Sequence, residues 1–359
     1  MKIVLNGRFL CARQTGVQRV AANLTLGLDR LLAGGGATDA GWEVCAPRGR
    51  KRDLSLSALR LRDDSLLTGQ AWEQFELPFA TGSAGLVNLC NVGPLGSRSA
   101  LTMIHDAQVY LAPSSYSAAF VRWYRLALPR LAAQSRLVLT VSEFSKRMLV
   151  RFGVAAADRI RVAPNGADHM LEVRAEPAIL ARLGLEGASY VFAFGNLQPH
   201  KNLDLLLKAF ADPRLGDLRL VVSGELDAPA IARVFGLAPG ANVQLAGRCS
   251  DGEIRALLEG AACLAFPSST EGFGLPPLEA MILGCPAVVA PAGALPEVCG
   301  QAATYAPLED VGAWVEAIAG VAGDDSGRAA RREQAKAHAQ AFTWRRSAER
   351  LRGLIEEVM

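Results

Sequence analysis

The chain has 359 residues, half of them hydrophobic and a fifth charged, with a net charge of +3. So much apolar surface demands a core and excludes a disordered polymer, and Gly and Pro without a period exclude a collagen-like or low-complexity chain. At roughly 150 residues per domain the length suggests two domains.

In chain order, Lys2–Leu5 reads as a short buried strand, followed by a loop and an amphipathic helix around Val17–Leu24. Val44–Ala46, Gly85–Leu89 and Leu101–Ile104 read as further strands. Residues 115–134 read as a helix that Pro129 should bend or break. Leu137–Val141 is a strand, and Ser142 suits the N-cap of a helix through Leu149. The alternation then starts again. Tyr190–Phe194, Leu218–Val222, Val243–Leu245, Cys263–Phe266 and Ala287–Ala290 read as strands. Helices are expected from Leu203 to Phe210 and from Asp251 to Leu258. Strands alternating with helices mean parallel, doubly wound sheets. The spacing predicts an α/β chain of two Rossmann-like domains facing a central cleft. These are residues 1–165 and 166–342, joined at Pro164-Asn165-Gly166.

No G-x-G-x-x-G follows the first strand and no Walker A motif is present, which counts against an oxidoreductase or a P-loop nucleotidase. The seven cysteines form no C-x-x-C pair and read as buried, reduced thiols. No apolar run reaches the length of a membrane span, and the opening run is too short for a signal peptide. A cytoplasmic protein is expected. Charge is uneven: residues 1–165 carry +10 and residues 166–359 carry −7. The basic half suits an anionic partner such as a phospholipid surface. No aromatic-interleaved basic motif speaks for nucleic acid. Arg122, Trp123 and Arg125 share one predicted helix that either packs on its own sheet or meets a membrane. The Arg48–Arg52 run is expected to be a solvated loop.

The most informative stretch is Phe266-Pro-Ser-Ser-Thr-Glu271-Gly272-Phe273-Gly274-Leu275-Pro276-Pro277-Leu278-Glu279-Ala280-Met281, which follows a strand and opens a helix. Gly272 and Gly274 permit a tight turn, and Pro276 and Pro277 suit a first helical turn. The N–H groups of Phe273, Gly274 and Leu275 then make a diphosphate site. Glu271 before the loop and Glu279, expected in the first turn, suit hydroxyl groups rather than phosphate. Phosphate in the middle with polyols at both ends describes a nucleotide sugar.

This stretch resembles the signature of the retaining glycosyltransferase family 4, whose fold is GT-B. Other segments resemble bacterial members that build surface polysaccharides: Asn6-Gly7-Arg8, Thr15-Gly16-Val17-Gln18-Arg19, Trp72-Glu73-Gln74 with Leu77-Pro78, His105-Asp106, Val141–Lys146, Pro164-Asn165-Gly166 and Gly195–Leu203. The resemblance implies a metal-independent hexosyltransferase with no cofactor. A nucleotide diphosphate sugar, in the first place GDP-mannose, is its donor, and UDP- or dTDP-sugars are alternatives, as is a non-catalytic nucleotide-sugar-binding protein. A polysaccharide or lipid-linked oligosaccharide would be the acceptor, with the chain peripheral on the inner face of the cell membrane. It implies that Glu271 holds the donor sugar, Glu279 the ribose and Lys201 the diphosphate. Gly16 lets the first loop approach the phosphates, and His105 faces the sugar. Asn196 stands where many members have an arginine, so Lys201, with Arg8 or Arg19, is expected to carry the phosphate charge. The resemblance also implies a final helix, about 343–359, that packs back on the first domain. His200 is expected in the Lys201 loop, Glu297 in a loop of its own, and His169 and His338 lack paired metal ligands.

Overall fold

The computed structural model describes residues 2–34 and 41–359, without the Asp325 side chain. The described chain divides into two units. One runs to Leu111 and includes Ser117–Gly166 and Phe342–Met359; the other holds Ala112–Tyr116 and Ala167–Ala341.

The first unit is built on seven parallel strands: β1 (Ile3–Asn6), β2 (Trp42–Cys45), β3 (Arg60–Arg62), β4 (Gly85–Asn88), β5 (Ser99–Met103), β6 (Ser135–Thr140) and β7 (Ile160–Val162). Their order across the sheet is β3-β2-β1-β4-β5-β6-β7. The inner strands are buried apolar runs because helices cover both faces of a parallel sheet. Only β3 and β7 escape the sequence reading. Each has three residues at a sheet edge, and Arg60 and Arg62 hide β3 from any hydrophobic count. From β1 the chain runs outward to β3, then returns to place β4 on the other side of β1. The switch in direction therefore lies between β1 and β4, where such sheets open a crevice beyond their strand ends.

Right-handed crossovers put helix α1 (Gly16–Gly34) on one face of this sheet and α2 (Ala118–Gln134) on the other. Pro129, expected to bend or break α2, lies inside it without breaking it. Its missing N–H deprives the Arg125 carbonyl, four residues earlier, of its usual donor. The Tyr110 hydroxyl donates to that carbonyl instead, at 3.5 Å.

The second unit repeats the plan with six parallel strands: β8 (Tyr190–Phe194), β9 (Arg219–Ser223), β10 (Val243–Gly247), β11 (Cys263–Phe266), β12 (Ala287–Val289) and β13 (Ala303–Tyr305). Their order is β10-β9-β8-β11-β12-β13, so the switch lies between β8 and β11. The helices that matter for the site are α3 (His169–Glu172), α4 (Leu203–Ala209), α5 (Asp251–Gly260), α6 (Leu275–Ile282) and α7 (Leu295–Cys299). Ser250 and Glu253 close α5 with a reciprocal capping box, satisfying two N–H groups that the helix cannot. Val191, Leu206, Val222, Val288, Trp314 and Ile318 form the core between sheet and helices. Burying each such side chain contributes about 1.5–3 kcal/mol.

The chain ends in α8 (Trp344–Val358), which belongs to the first unit and lies along α1. Gly27 permits the close approach, since a Cβ there would stand 2.7 Å from the Ala348 Cβ. The Ser347 hydroxyl donates to the Pro164 carbonyl at 2.5 Å, and Arg161 pairs with Glu357 at 3.4 Å.

All seven cysteines are free. Cys45, Cys263, Cys285 and Cys299 are buried, but Cys11, Cys90 and Cys249 are only partly so, a correction to the uniform burial expected. Those three sit in or beside loops, outside the packed strands.

Candidate functional site

Two loops meet at the switch point of the second sheet. One leaves β8 and runs from Gly195 to Asn202. The other leaves β11 and runs from Pro267 to Gly274. Backbone and amide contacts lace them together. The Ser269 N–H donates to the His200 carbonyl, and the Asn202 amide to the Pro267 carbonyl, both at 2.8 Å. His200 is buried, its Nδ1 2.7 Å from the Ser115 hydroxyl. Burial and then the Lys201 charge push its pKa down to about 4, so the ring is neutral. The ring ties the β8 loop to Ser115, while the His200 carbonyl holds the β11 loop.

Lacing brings Lys201 and Glu271, 70 positions apart in sequence, to a 2.5 Å ion pair. The Lys201 ammonium also lies 5.4 Å from the Phe266 ring centre, a cation–π distance. Asn196 is exposed, and its amide serves its own loop. The Oδ1 accepts from the Gln198 N–H at 2.8 Å, and the Nδ2 donates to the Gln198 side chain at 3.1 Å. Glu271 is braced from behind by Gly293, whose φ is +63°. A Cβ there would lie 2.6 Å from the Glu271 nitrogen, so only glycine fits without displacing the loop. The next residue, Ala294, donates its N–H to the Glu271 carbonyl at 3.0 Å.

The Glu271 loop runs into α6. Of the two expected turn glycines only Gly274 has a positive φ, +109°, and it caps the helix. Gly272, Phe273 and Leu275 are buried beside it. Pro276 and Pro277 carry no N–H, so the donors at this helix end reduce to Leu275 and the turn before it. Glu279 is the fifth residue of α6 and therefore in its second turn, a correction to the first-turn expectation. It is buried and stands 3.0 Å, Oε1 to Nε2, from His169 at the start of α3. Nothing in local spacing joins these two positions, and the sequence reading missed His169. Glu297, expected in a loop, sits instead in α7, because Ala294 starts a turn that Pro296 continues.

In the first unit, two resembling motifs converge at the β1–β4 switch. The Asn6 amide donates to Glu73 at 2.8 Å and to Asn88 at 3.0 Å, and Arg8 pairs with Glu73 at 3.2 Å. Glu73 lies on a single π-helical turn, Trp72–Glu76, a feature often found at functional positions. Its carboxyl is pushed upward in pKa by burial, against the opposing Arg8 charge. The Arg48–Arg52 run is not merely solvated: Arg52 donates to the Phe9 and Ala12 carbonyls at 2.7 and 3.1 Å, bracing the first loop. Gly16 opens α1 with nothing within 4 Å of a would-be Cβ, so the space above it is open. His105 follows β5 and is buried, its Nε2 2.8 Å from the Leu89 carbonyl. That contact makes Nε2 the protonated nitrogen, and burial lowers the pKa to about 4. Asp106 caps the next turn, accepting from the Gln108 N–H at 2.9 Å.

Among the described residues no three His, Cys, Asp or Glu side chains group as a metal site. The site of the second unit instead sets the Lys201 ammonium on Glu271 beside a glycine-capped helix that carries Glu279. Such a site can balance an anionic group and accept hydrogen bonds from hydroxyls.

Both units together match solved glycosyltransferases of the GT-B fold. One is WaaG, described as a glycosyltransferase involved in lipopolysaccharide biosynthesis, with a TM-score of 0.72, 15% identity and 99% of each chain covered. That likeness establishes the fold. Sequence similarity goes further. The O-antigen chain mannosyltransferase B of Escherichia coli is 31% identical over 68% of this chain and 67% of its own length. A D-inositol 3-phosphate glycosyltransferase of Saccharomonospora viridis is 32% identical over 64% of this chain, which spans 57% of that protein. The family profile "Glycosyl transferases group 1" matches residues 177–338, and "Glycosyltransferase Family 4" matches residues 79–170. The chain belongs to the family 4 glycosyltransferases.

Proposed function

We propose that this glycosyltransferase moves mannose from GDP-mannose to a growing polysaccharide or lipid-linked oligosaccharide, retaining the configuration at the anomeric carbon and needing no metal. The observation that carries it is the Lys201–Glu271 pair at the β8–β11 switch, with Glu279 in the helix behind. Similarity to the E. coli mannosyltransferase supports mannose as the sugar.

In this reading the Lys201 ammonium has three N–H donors, so it keeps Glu271 while taking the diphosphate. Glu271 then accepts from hydroxyls of the sugar. Glu279 accepts from the ribose hydroxyls. The bond from the anomeric carbon to the β-phosphate oxygen breaks, and the acceptor oxygen bonds to that carbon on the same face. The departing phosphate takes the acceptor's proton. Lys201 and the Leu275 end of α6 stabilise the charge that grows on the leaving diphosphate. His105, neutral and held by Leu89, is the residue we assign to orienting the sugar from the first unit.

A lipid-linked acceptor lies at a membrane, and one face of the first unit suits such a surface. Residues 66–79 and α2 lie on the sheet face opposite α1. There Leu66, Phe75, Phe79 and Leu126 are exposed, Phe79 by 86%, and Phe120 and Trp123 partly so. Arg122, Arg125 and Arg130 are exposed among them. No helix among the described residues is long and apolar enough to cross a membrane.

The deciding experiment incubates the protein with GDP-mannose and with UDP- and dTDP-sugars, each with mannoside acceptors, and follows nucleotide release. NMR of the product reads the anomeric configuration, and a chelator arm reads metal dependence. Release of GDP with an α-linked product supports the reading. Release of UDP or dTDP alone moves the donor to the alternative, and binding without release makes the chain a nucleotide-sugar-binding protein.

A further inference from the structure

We infer that His169 is the positioning residue for Glu279, and that it sets how strongly this protein distinguishes a ribose from a deoxyribose nucleotide. The inference rests on the nucleotide-sugar reading and adds a residue that neither the motif nor the family signature contains.

Three elements build the arrangement. Helix α3 is a single turn of four residues, too short to hold itself in place. Its exposed carbonyl end is taken by Arg255 of α5, whose Nη1 donates to the carbonyls of Met170, Leu171 and Val173 at 3.2, 3.0 and 2.6 Å. Arg255 is itself oriented by Glu259, 2.7 Å from its Nε. Met170 is buried and anchors the turn from below. The first residue of that turn is His169, and its Nε2 meets Glu279 Oε1 at 3.0 Å. Side-chain exposures of 10% for His169 and 8% for Glu279 put the contact out of bulk water.

Glutamate has three side-chain torsions, and a carboxylate that recognises a vicinal diol must hold one orientation to accept from both hydroxyls. Packing alone does not select the carboxylate rotation, because that last torsion is broad. A buried ring nitrogen held 3.0 Å from one oxygen favours the rotations that keep that oxygen beside it. The chain α5–α3–His169–Glu279 therefore holds a polar ring beside the carboxylate, out of bulk water. His169 is a positioning residue: it acts through Glu279 and needs no contact with the nucleotide.

The test is titration calorimetry of the full chain with GDP and UDP, followed by the 2′-deoxy form of whichever binds tighter. Wild type is expected to prefer the ribonucleotide by at least about tenfold. His169→Phe is expected to weaken the ribonucleotide about tenfold while leaving the deoxynucleotide within threefold, so that discrimination collapses. His169→Gln, which keeps an amide donor of similar reach, is expected to restore most of it. Unfolding midpoints of the variants check that the fold is intact. Equal loss for both nucleotides, or unchanged discrimination in His169→Phe, overturns the assignment while the nucleotide-sugar reading stands. A wild type that binds neither GDP nor UDP overturns both.

Discussion

At the scale of single residues, the donor reading concentrates on three side chains. Glu279→Ala removes a buried charged acceptor and is expected to weaken nucleoside diphosphate binding by about 1.5–3 kcal/mol. Calorimetry reads this directly, and an unchanged dissociation constant removes Glu279 from the ribose. Lys201→Ala is expected to lower turnover by roughly 10²–10³ with the fold intact, the loss seen when a donor to developing negative charge is removed. Asn196, tied to Gln198, carries no charge to replace it. Near-normal turnover in Lys201→Ala would mean that another cation serves the diphosphate.

His105 makes a pH prediction. Its folded pKa is about 4, against an ordinary value near 6.5. The unfolded chain therefore binds more protons across that window. Stability is full above pH 6.5 and falls as pH drops toward 4, by about 2 kcal/mol between pH 7 and pH 5. His200 shifts the same way and adds to the loss. Urea unfolding at pH 7, 6 and 5 measures it. A flat profile would show that these rings take up protons in the folded state as readily as in the unfolded chain.

At the scale of elements, the turn that supports Glu271 is as decisive as Glu271 itself. Gly293 stands at φ +63° against the Glu271 backbone. Gly293→Ala is expected to cost about 1–3 kcal/mol of backbone strain and to push the loop outward. Donor binding should then fall at least tenfold while circular dichroism remains native. Donor affinity equal to wild type in this variant would show that the loop tolerates the shift. Helix α2 teaches a different lesson about elements. A proline in its interior was expected to bend or break it, yet the helix runs through, because tertiary contacts outweigh a local preference when another donor serves the orphaned carbonyl. Tyr110, outside the helix, is that donor.

At the scale of the whole molecule, the +10 of residues 1–165 and the exposed apolar face of the first unit combine into one expectation. Binding to anionic vesicles should be peripheral, with about 1 kcal/mol from each basic residue near the surface, and should fade as salt shortens the Debye length. Sedimentation with anionic and neutral liposomes at low and high salt measures this. Phe79→Ser with Trp123→Ser should release the protein from anionic vesicles without altering nucleotide affinity. Equal sedimentation with both lipids, or none at low salt, removes the membrane reading and leaves the sugar-transfer reading untouched.

The sequence by itself determined the class of fold, most of the strands and the glutamate-rich loop. Those signals act over a few neighbouring residues: an apolar run for a buried strand, a serine or glycine at a helix end, paired prolines at a first turn. β8 and β11 fall at the expected residues because each is a buried apolar run bounded by a turn. Only the tertiary structure decided which side chains meet. Lys201 finds Glu271 because β8 and β11 are neighbours across a switch in strand order. Asn6 finds Glu73 because a π turn carries it to the end of β1. His169 finds Glu279 because an arginine from a third helix holds the turn that bears it. Each of these pairs joins residues far apart in the chain, where no periodicity or local turn preference reaches, and only the packing of whole elements brings them within a bond's length.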